Sequence, residues 1–164
     1  MLSGLVKSMR PRQWPKNAFV FVALLFDRKL FDPASVAAVL GAFVLLCLMS
    51  SAVYLMNDLA DIESDRQHPV KKNRPLPSGQ LDPRVAMIAS FLLAAVSLAA
   101  GYFLSFQLAI ILLLYLVSQI AYTFKLKHIV LIDVLTIALG FILRIAAGVA
   151  VIEVERFSPW LYVF

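Results

Sequence analysis

Between positions 57 and 65 the chain reads Asn-Asp-Leu-Ala-Asp-Ile-Glu-Ser-Asp, directly after an uncharged run that begins at Ala34. At about 100° per residue, a helix gathers Asp58, Asp61 and Asp65 within roughly a 60° arc and turns Glu63 away by about 140°. Tyr54 and Asn57 flank that arc. Three carboxylates on one face repel one another unless a cation stands between them. Magnesium suits the position, because it takes hard oxygen ligands and commonly joins one or two carboxylates to substrate phosphates. The competing reading is a solvated helix end with acids reaching for water. Ionisable groups at a membrane boundary favour the functional reading.

The next segment, Arg66 to Gly79, carries Lys71, Lys72 and Arg74 among two prolines and a glycine that shape a tight loop. Lys72 and Arg74 are placed to reach back over the acidic face. A diphosphate held there needs such a cationic cover to neutralise its remaining oxygens. Plain excess charge on one side of a membrane explains Lys71 equally well.

The elements that position these residues follow from the apolar runs. Trp14 to about Leu30 reads as a first span, with Asp27, Arg28 and Lys29 closing it. A signal peptide is the weaker reading, since no small-residue cleavage site follows. Ala34–Asn57 is a second span that continues as helix into the acidic segment. The uncharged stretch Val85–Phe124 is 40 residues long and splits near Gly101–Gln107 into a third and a fourth span. Ser90/Ala94 and Ser97/Gly101 are small residues four apart that permit close helix approach. A fifth span runs from about Ile129 to Ile152, and Pro159 with Trp160 opens a further interfacial segment. The expected fold is all-α, a polytopic transmembrane bundle of about five spans at about 20 residues each.

Composition agrees. Of 164 residues, 62% are hydrophobic and 15% charged, which argues against a soluble domain, a nucleic-acid binder or a disordered chain. The net charge of +5 is unevenly placed. Lys7, Arg10, Arg12, Lys16, Arg66, Lys71, Lys72, Arg74, Arg84, Lys125 and Lys127 fall on one side of the expected spans. Arg28, Lys29 and Arg156 fall on the other, and Arg144 lies inside a span. This asymmetry puts the N-terminus and the acidic loop in the cytoplasm, with a bacterial inner membrane the expected location. Cys47, the single cysteine, excludes a disulfide framework and reads as a small buried hydrophobe.

The pattern N-D-x-x-D-x-x-x-D at 57–65, followed by Arg-Pro-Leu-Pro-Ser-Gly at 74–79, resembles the first signature of the UbiA superfamily of intramembrane prenyltransferases. Three further features resemble one branch of it, the decaprenyl-phosphate phosphoribosyltransferases of cell-wall arabinan synthesis. They are Arg10-Pro-Arg-Gln-Trp-Pro-Lys-Asn17, Tyr122-Thr-Phe-Lys-Leu-Lys127, and Asp133 through Arg144 to Gly148. The resemblance implies a larger bundle of about nine spans, each of about 20 residues, of which this chain is the N-terminal half. A second aspartate-rich motif, expected on a later span, is missing, since no carboxylate follows Glu155. The whole chain then forms one membrane-embedded unit, incomplete at its C-terminal end.

The resemblance further implies a phosphoribosyl pyrophosphate donor, or a prenyl diphosphate in the wider superfamily, and a polyprenyl phosphate acceptor. Asn57, Asp58, Asp61 and Asp65 become the catalytic set. Asp58, Asp61 and Asp65 hold Mg2+, and Asn57 orients them or touches substrate. Lys16, Asn17, Lys72, Arg74, Tyr122, Lys125, Lys127 and Arg144 become candidates for substrate phosphates. Headgroup anchoring competes for Lys16 and Asn17, one-sided charge for Lys125 and Lys127, and an internal ion pair for Arg144. Asp133 and Arg144 lie too far apart on one helix, about 16 Å, to satisfy each other. His68 and His128 lack ligand-spaced companions. Homo-oligomerisation stays open. The rival activity is transfer of an isoprenoid to an aromatic acceptor; a small transporter or a non-catalytic scaffold is the alternative of another class.

Overall fold

A computed structural model describes residues 1–152, and among these the elements are helices and turns. Glu155, Arg156, Pro159 and Trp160 lie outside the described residues. The α-helices are α1 (Leu2–Ser8), α2 (Val22–Phe26), α3 (Pro33–Ala60), α4 (Ile62–Gln67), α5 (Pro83–Leu104), α6 (Phe106–Phe124) and α7 (Ile132–Val149). A 3-10 helix, Pro11–Phe21, joins α1 to α2, and short 3-10 turns occupy Lys71–Asn73 and Leu126–His128.

Local chemistry sets the helix starts. Asp32 caps α3 by accepting the Ser35 N–H at 3.0 Å, and Pro33 follows at a position where its missing N–H costs nothing. The Ser35 hydroxyl and N–H together hold the Asp32 carboxyl below its usual range. Asp82 and Pro83 repeat the device at α5, where the Arg84 N–H donates to Asp82 at 2.7 Å. Ser105 divides the 40-residue apolar stretch, capping α6 while its hydroxyl donates to the Ala150 carbonyl at 2.8 Å.

Four helices, α3, α5, α6 and α7, are long and apolar enough to cross a membrane. The expected first span differs from them. It is the 11-residue 3-10 helix running into five residues of α2. Pro11 and Pro15 supply no N–H, and a proline ring within an α-helix collides with the carbonyl four residues back. A 3-10 helix rises about 2.0 Å per residue, so this composite of 16 residues reaches about 30 Å, the thickness of a bilayer's hydrocarbon core. The expected single helix through the acids also differs: α3 ends at Ala60, Asp61 is a turn residue and α4 resumes at Ile62.

The core forms around α3, where Val39, Leu46, Met49 and Leu55 are fully buried. Ser90 of α5 donates to the Ala52 carbonyl at 2.9 Å, and Gly101 lies against Leu112 of α6, so the small residues of α5 sit at helix contacts as expected. Gly148 permits the tightest approach. A Cβ there would stand 2.1 Å from the Val20 carbonyl oxygen, a backbone atom of the 3-10 helix. Gly148→Ala is therefore expected to cost about 1–3 kcal/mol by overpacking. Gly41→Ala, which meets only the flexible end of Leu104 at 3.2 Å, is expected to be near neutral. Thermal unfolding of both variants in detergent checks this.

Candidate functional site

The acidic end of α3 is ringed by four cations from three segments. Asp58 is buried and receives the Arg10 guanidinium in a short charge-assisted hydrogen bond. Arg74 Nη1 stands 3.4 Å from Asp58 Oδ1 and 2.7 Å from Asp65 Oδ2. Lys71 Nζ lies 3.8 Å from the buried Asp65, and Lys127 Nζ 2.8 Å from Asp61. Glu63 points away, as its spacing predicts, and pairs with Arg66 at the surface. Asn57 is half-buried beside Asp58.

Arg10 does more than the sequence suggests, where it reads as one basic residue among many. Its backbone adopts a left-handed conformation (φ 53°), turning the chain from α1 into the 3-10 helix. Its guanidinium stacks 4.9 Å from the centroid of the Tyr54 ring. Two further contacts continue down the same face of α3. Trp14 Nε1 donates to the Ser51 hydroxyl at 3.1 Å, and Asn17 Nδ2 lies 3.3 Å from Cys47 Sγ and 3.2 Å from Ser50 Oγ. The 10–17 motif is thus a ladder laid antiparallel on α3. The clue lay in two matched spacings: Arg10, Trp14, Asn17 on one strand of the ladder and Asp58, Ser51, Cys47 on the other.

Arg144 closes the inner end of the ladder. It is 7% exposed, and its Nε donates to Asn17 Oδ1 at 2.8 Å. Nη1 donates to the Gly140 carbonyl at 2.6 Å and Nη2 to the Tyr115 hydroxyl at 3.0 Å. The Tyr115 and Phe141 rings lie 5.1 and 5.4 Å from the guanidinium carbon. Among the described residues no carboxylate pairs with Arg144, and Asp133 accepts its neighbour Val134's N–H. Cys47 is buried as expected, and also serves as a weak acceptor in this network.

The remaining candidates are more scattered. Lys16, Lys72 and Lys125 are exposed and Tyr122 is half-buried; none of the four forms an ion pair among the described residues. Of the expected phosphate-contacting set, Arg74 and Lys127 join the acidic cluster, and Asn17 and Arg144 join the inner network.

For magnesium the donor chemistry fits, being hard carboxylate oxygen throughout. Among the described residues no three His, Cys, Asp or Glu side chains converge on a single point. Instead Arg74 places one positive nitrogen between Asp58 and Asp65, where a bound cation would be attracted. These carboxylates are accordingly arranged to compensate positive charge, and the side chains that now compensate them come from flexible lysine and arginine stems.

Four apolar spanning helices with a charged centre at one end define an integral membrane protein. The chain belongs to the UbiA prenyltransferase family, whose model matches residues 17–164. It is 43% identical over 155 residues to a decaprenyl-phosphate phosphoribosyltransferase of Mycolicibacterium smegmatis, covering 92% of this chain and 49% of the relative. A Mycobacterium tuberculosis protein of the same name is 38% identical, with 92% and 51% covered. A UbiA homolog from Archaeoglobus fulgidus, solved bound to GPP and Mg2+, superposes with a TM-score of 0.82 at 20% identity, covering 98% of this chain and 57% of that one. The chain spans about half the length of the curated relatives it matches.

Asn17→Leu leaves the Arg144 Nε without its acceptor and is expected to cost about 1.5–3 kcal/mol. In the double variant with Arg144→Met most of that cost should vanish. A double-mutant cycle of unfolding in detergent measures the coupling.

Proposed function

We propose that this chain supplies the donor-binding half of a transferase that moves a phosphoribosyl group from phosphoribosyl pyrophosphate to a polyprenyl phosphate such as decaprenyl phosphate, the step feeding cell-wall arabinan. The observation that carries the reading is the acidic end of α3, with Asp58, Asp61 and Asp65 surrounded by Arg10, Lys71, Arg74 and Lys127. The similarity at 43% and 38% identity to proteins of that name supports it. The N-terminus and this charged end face the cytoplasm, where a water-soluble donor is available.

Asp58 and Asp61, with Asp65 as ligand or supporting partner, would hold Mg2+, which when bound would offset charge building on the departing pyrophosphate. The protein's own cations complete the task. Arg74 and Lys127 already stand at these carboxylates, and a diphosphate entering the site offers them oxygens in exchange for the carboxylates. Lys72 and Lys125 add mobile charge at the rim, Lys16 and Tyr122 further donors, and Asn57 orients the neighbouring ligands. Arg144 uses three of its five N–H groups within the protein and keeps two for a phosphate, with Asn17 fixing its plane. As the bond from the ribose carbon to pyrophosphate breaks, the electron pair leaves with pyrophosphate. The carbon becomes cationic, and an anionic oxygen of the lipid phosphate forms the new bond without a strong base.

Isoprenoid transfer from a diphosphate is the second reading, favoured by the fold shared with a UbiA homolog bound to GPP and Mg2+. Both reactions expel pyrophosphate, so the donor decides. Binding of labelled phosphoribosyl pyrophosphate at least tenfold tighter than a prenyl diphosphate is expected; the reverse order supports prenyl transfer. Loss of that binding on chelating magnesium counts against a scaffold.

In the complete enzyme, Asp61→Asn is expected to lower turnover by at least about a hundredfold, or about 2.7 kcal/mol of barrier. Its unfolding should be unchanged, because Asp61 is only half-buried and its Lys127 partner stays partly solvated. Turnover near the unsubstituted rate removes Asp61 from the metal set.

A further inference from the structure

At the corner where α1 turns into the 3-10 helix lies a cavity of about 580 Å³, lined by Lys7, Arg10, Pro11, Arg12 and Gln13. We propose that this cavity is a binding site for the phosphate of an anionic phospholipid headgroup. Three of its five lining residues are cationic and none is acidic. Lys7 and Arg12 are exposed, and among the described residues neither has an ion-pair partner. They therefore carry charge that the protein itself does not offset, in contrast to Arg10, Arg74 and Lys127. The volume lies within the usual range for small-molecule sites, about 300–1,000 Å³.

The backbone gathers these groups at some cost. Arg10 holds a left-handed conformation without being glycine, and non-glycine residues occupy that region at a penalty that clusters at binding sites. Ser8, one residue beyond Lys7, keeps a buried hydroxyl with no hydrogen-bond partner among the described residues. Buried polar atoms are seldom left unmet.

Lipid, rather than free phosphate, follows from the apolar residues of the same corner. At α1, the capping Met1 and the helical Leu2 and Val6 are 73%, 78% and 52% exposed, while Gly4 packs against Pro75 and Gln80. A short helix that docks by one side and bares apolar side chains beside a cluster of cations has the make-up of a segment lying in the bilayer interface. A headgroup phosphate in the cavity then has its acyl chains next to those apolar side chains. Arg10 belongs to both places, lining the cavity and pairing with Asp58, so occupancy of the cavity competes with Asp58 for one guanidinium. This site depends on membrane embedding and is independent of which donor the acidic centre takes.

The test is lipid retention by the full chain, purified in detergent, titrated with phosphatidylglycerol or phosphatidylcholine and read by native mass spectrometry. Phosphatidylglycerol is expected to be retained at least tenfold better than phosphatidylcholine. Lys7→Gln/Arg12→Gln should erase most of that preference without altering unfolding, since both side chains are exposed. Arg66→Gln, which removes a charge beside Glu63 and away from the cavity, should leave it intact. Equal retention of the two lipids overturns the site, as does an undiminished preference in the double variant or an equal loss in Arg66→Gln. Displacement of phosphatidylglycerol by millimolar inorganic phosphate overturns the lipid assignment in favour of a soluble phosphate.

Discussion

An ionised carboxylate at the end of an apolar helix must find positive charge, because removing an ion from water costs several kcal/mol even after the protein relaxes. Asp58 and Asp65 are both buried, and that requirement organises one whole end of the molecule. It draws the α1 corner inward through Arg10, the 71–74 turn through Lys71 and Arg74, and the turn after α6 through Lys127. These segments are far apart in sequence, and two of them also share an apolar cluster in which Leu5 and Met9 pack against the buried Leu55, Leu76 and Leu81. Charge and this small cluster together set their common position, while the rest of the bundle is set by packing around α3.

The second buried charge is handled in the opposite way. Arg144 is met by an amide, a carbonyl, a phenol and two aromatic faces, all neutral. Among the described residues these hydrogen bonds use three of its five N–H groups without cancelling its charge. At the acidic end each carboxylate is already matched by a cation on a long, partly solvated stem. A cation on such a stem can turn from its carboxylate to another anion, whereas the Arg144 guanidinium has no anionic partner among the described residues to give up. The two ends of the ladder on α3 therefore differ in electrostatics, one compensated and the other not.

Much of this was legible in the sequence because it depends on periodicity or on residue type. The apolar run ending in acids gave α3 and its charged face, and the small residues of α5 marked helix contacts. What could not be read depends on tertiary partners. Arg10 was masked by the general excess of basic residues on one side, and only the position of Asp58 distinguishes it. Tyr115 sits in an unbroken apolar run, where an aromatic residue ordinarily signals packing. The break at Asp61 has neither glycine nor proline to announce it, and Leu131 adopts φ 73° with no local cue.

The 3-10 conformation of residues 11–21 is the clearest case of a tertiary demand met by local chemistry. Cys47 and Asp58 are eleven α-helical steps apart, about 16 Å along α3 at 1.5 Å per residue. Arg10 and Asn17, only seven residue steps apart, must reach the two ends of that interval. As an α-helix those seven steps would rise about 10 Å and the contacts would fall out of step. At the 3-10 rise of about 2.0 Å they cover about 14 Å, which lets Arg10 reach Asp58 while the Asn17 amide lies between Cys47 and Ser50. Pro11 and Pro15 thus do more than interrupt a helix. By denying the α-helical bonding pattern they set the pitch at which a basic, an aromatic and an amide side chain fall into register with α3, and that register is what turns Asn17 toward Arg144.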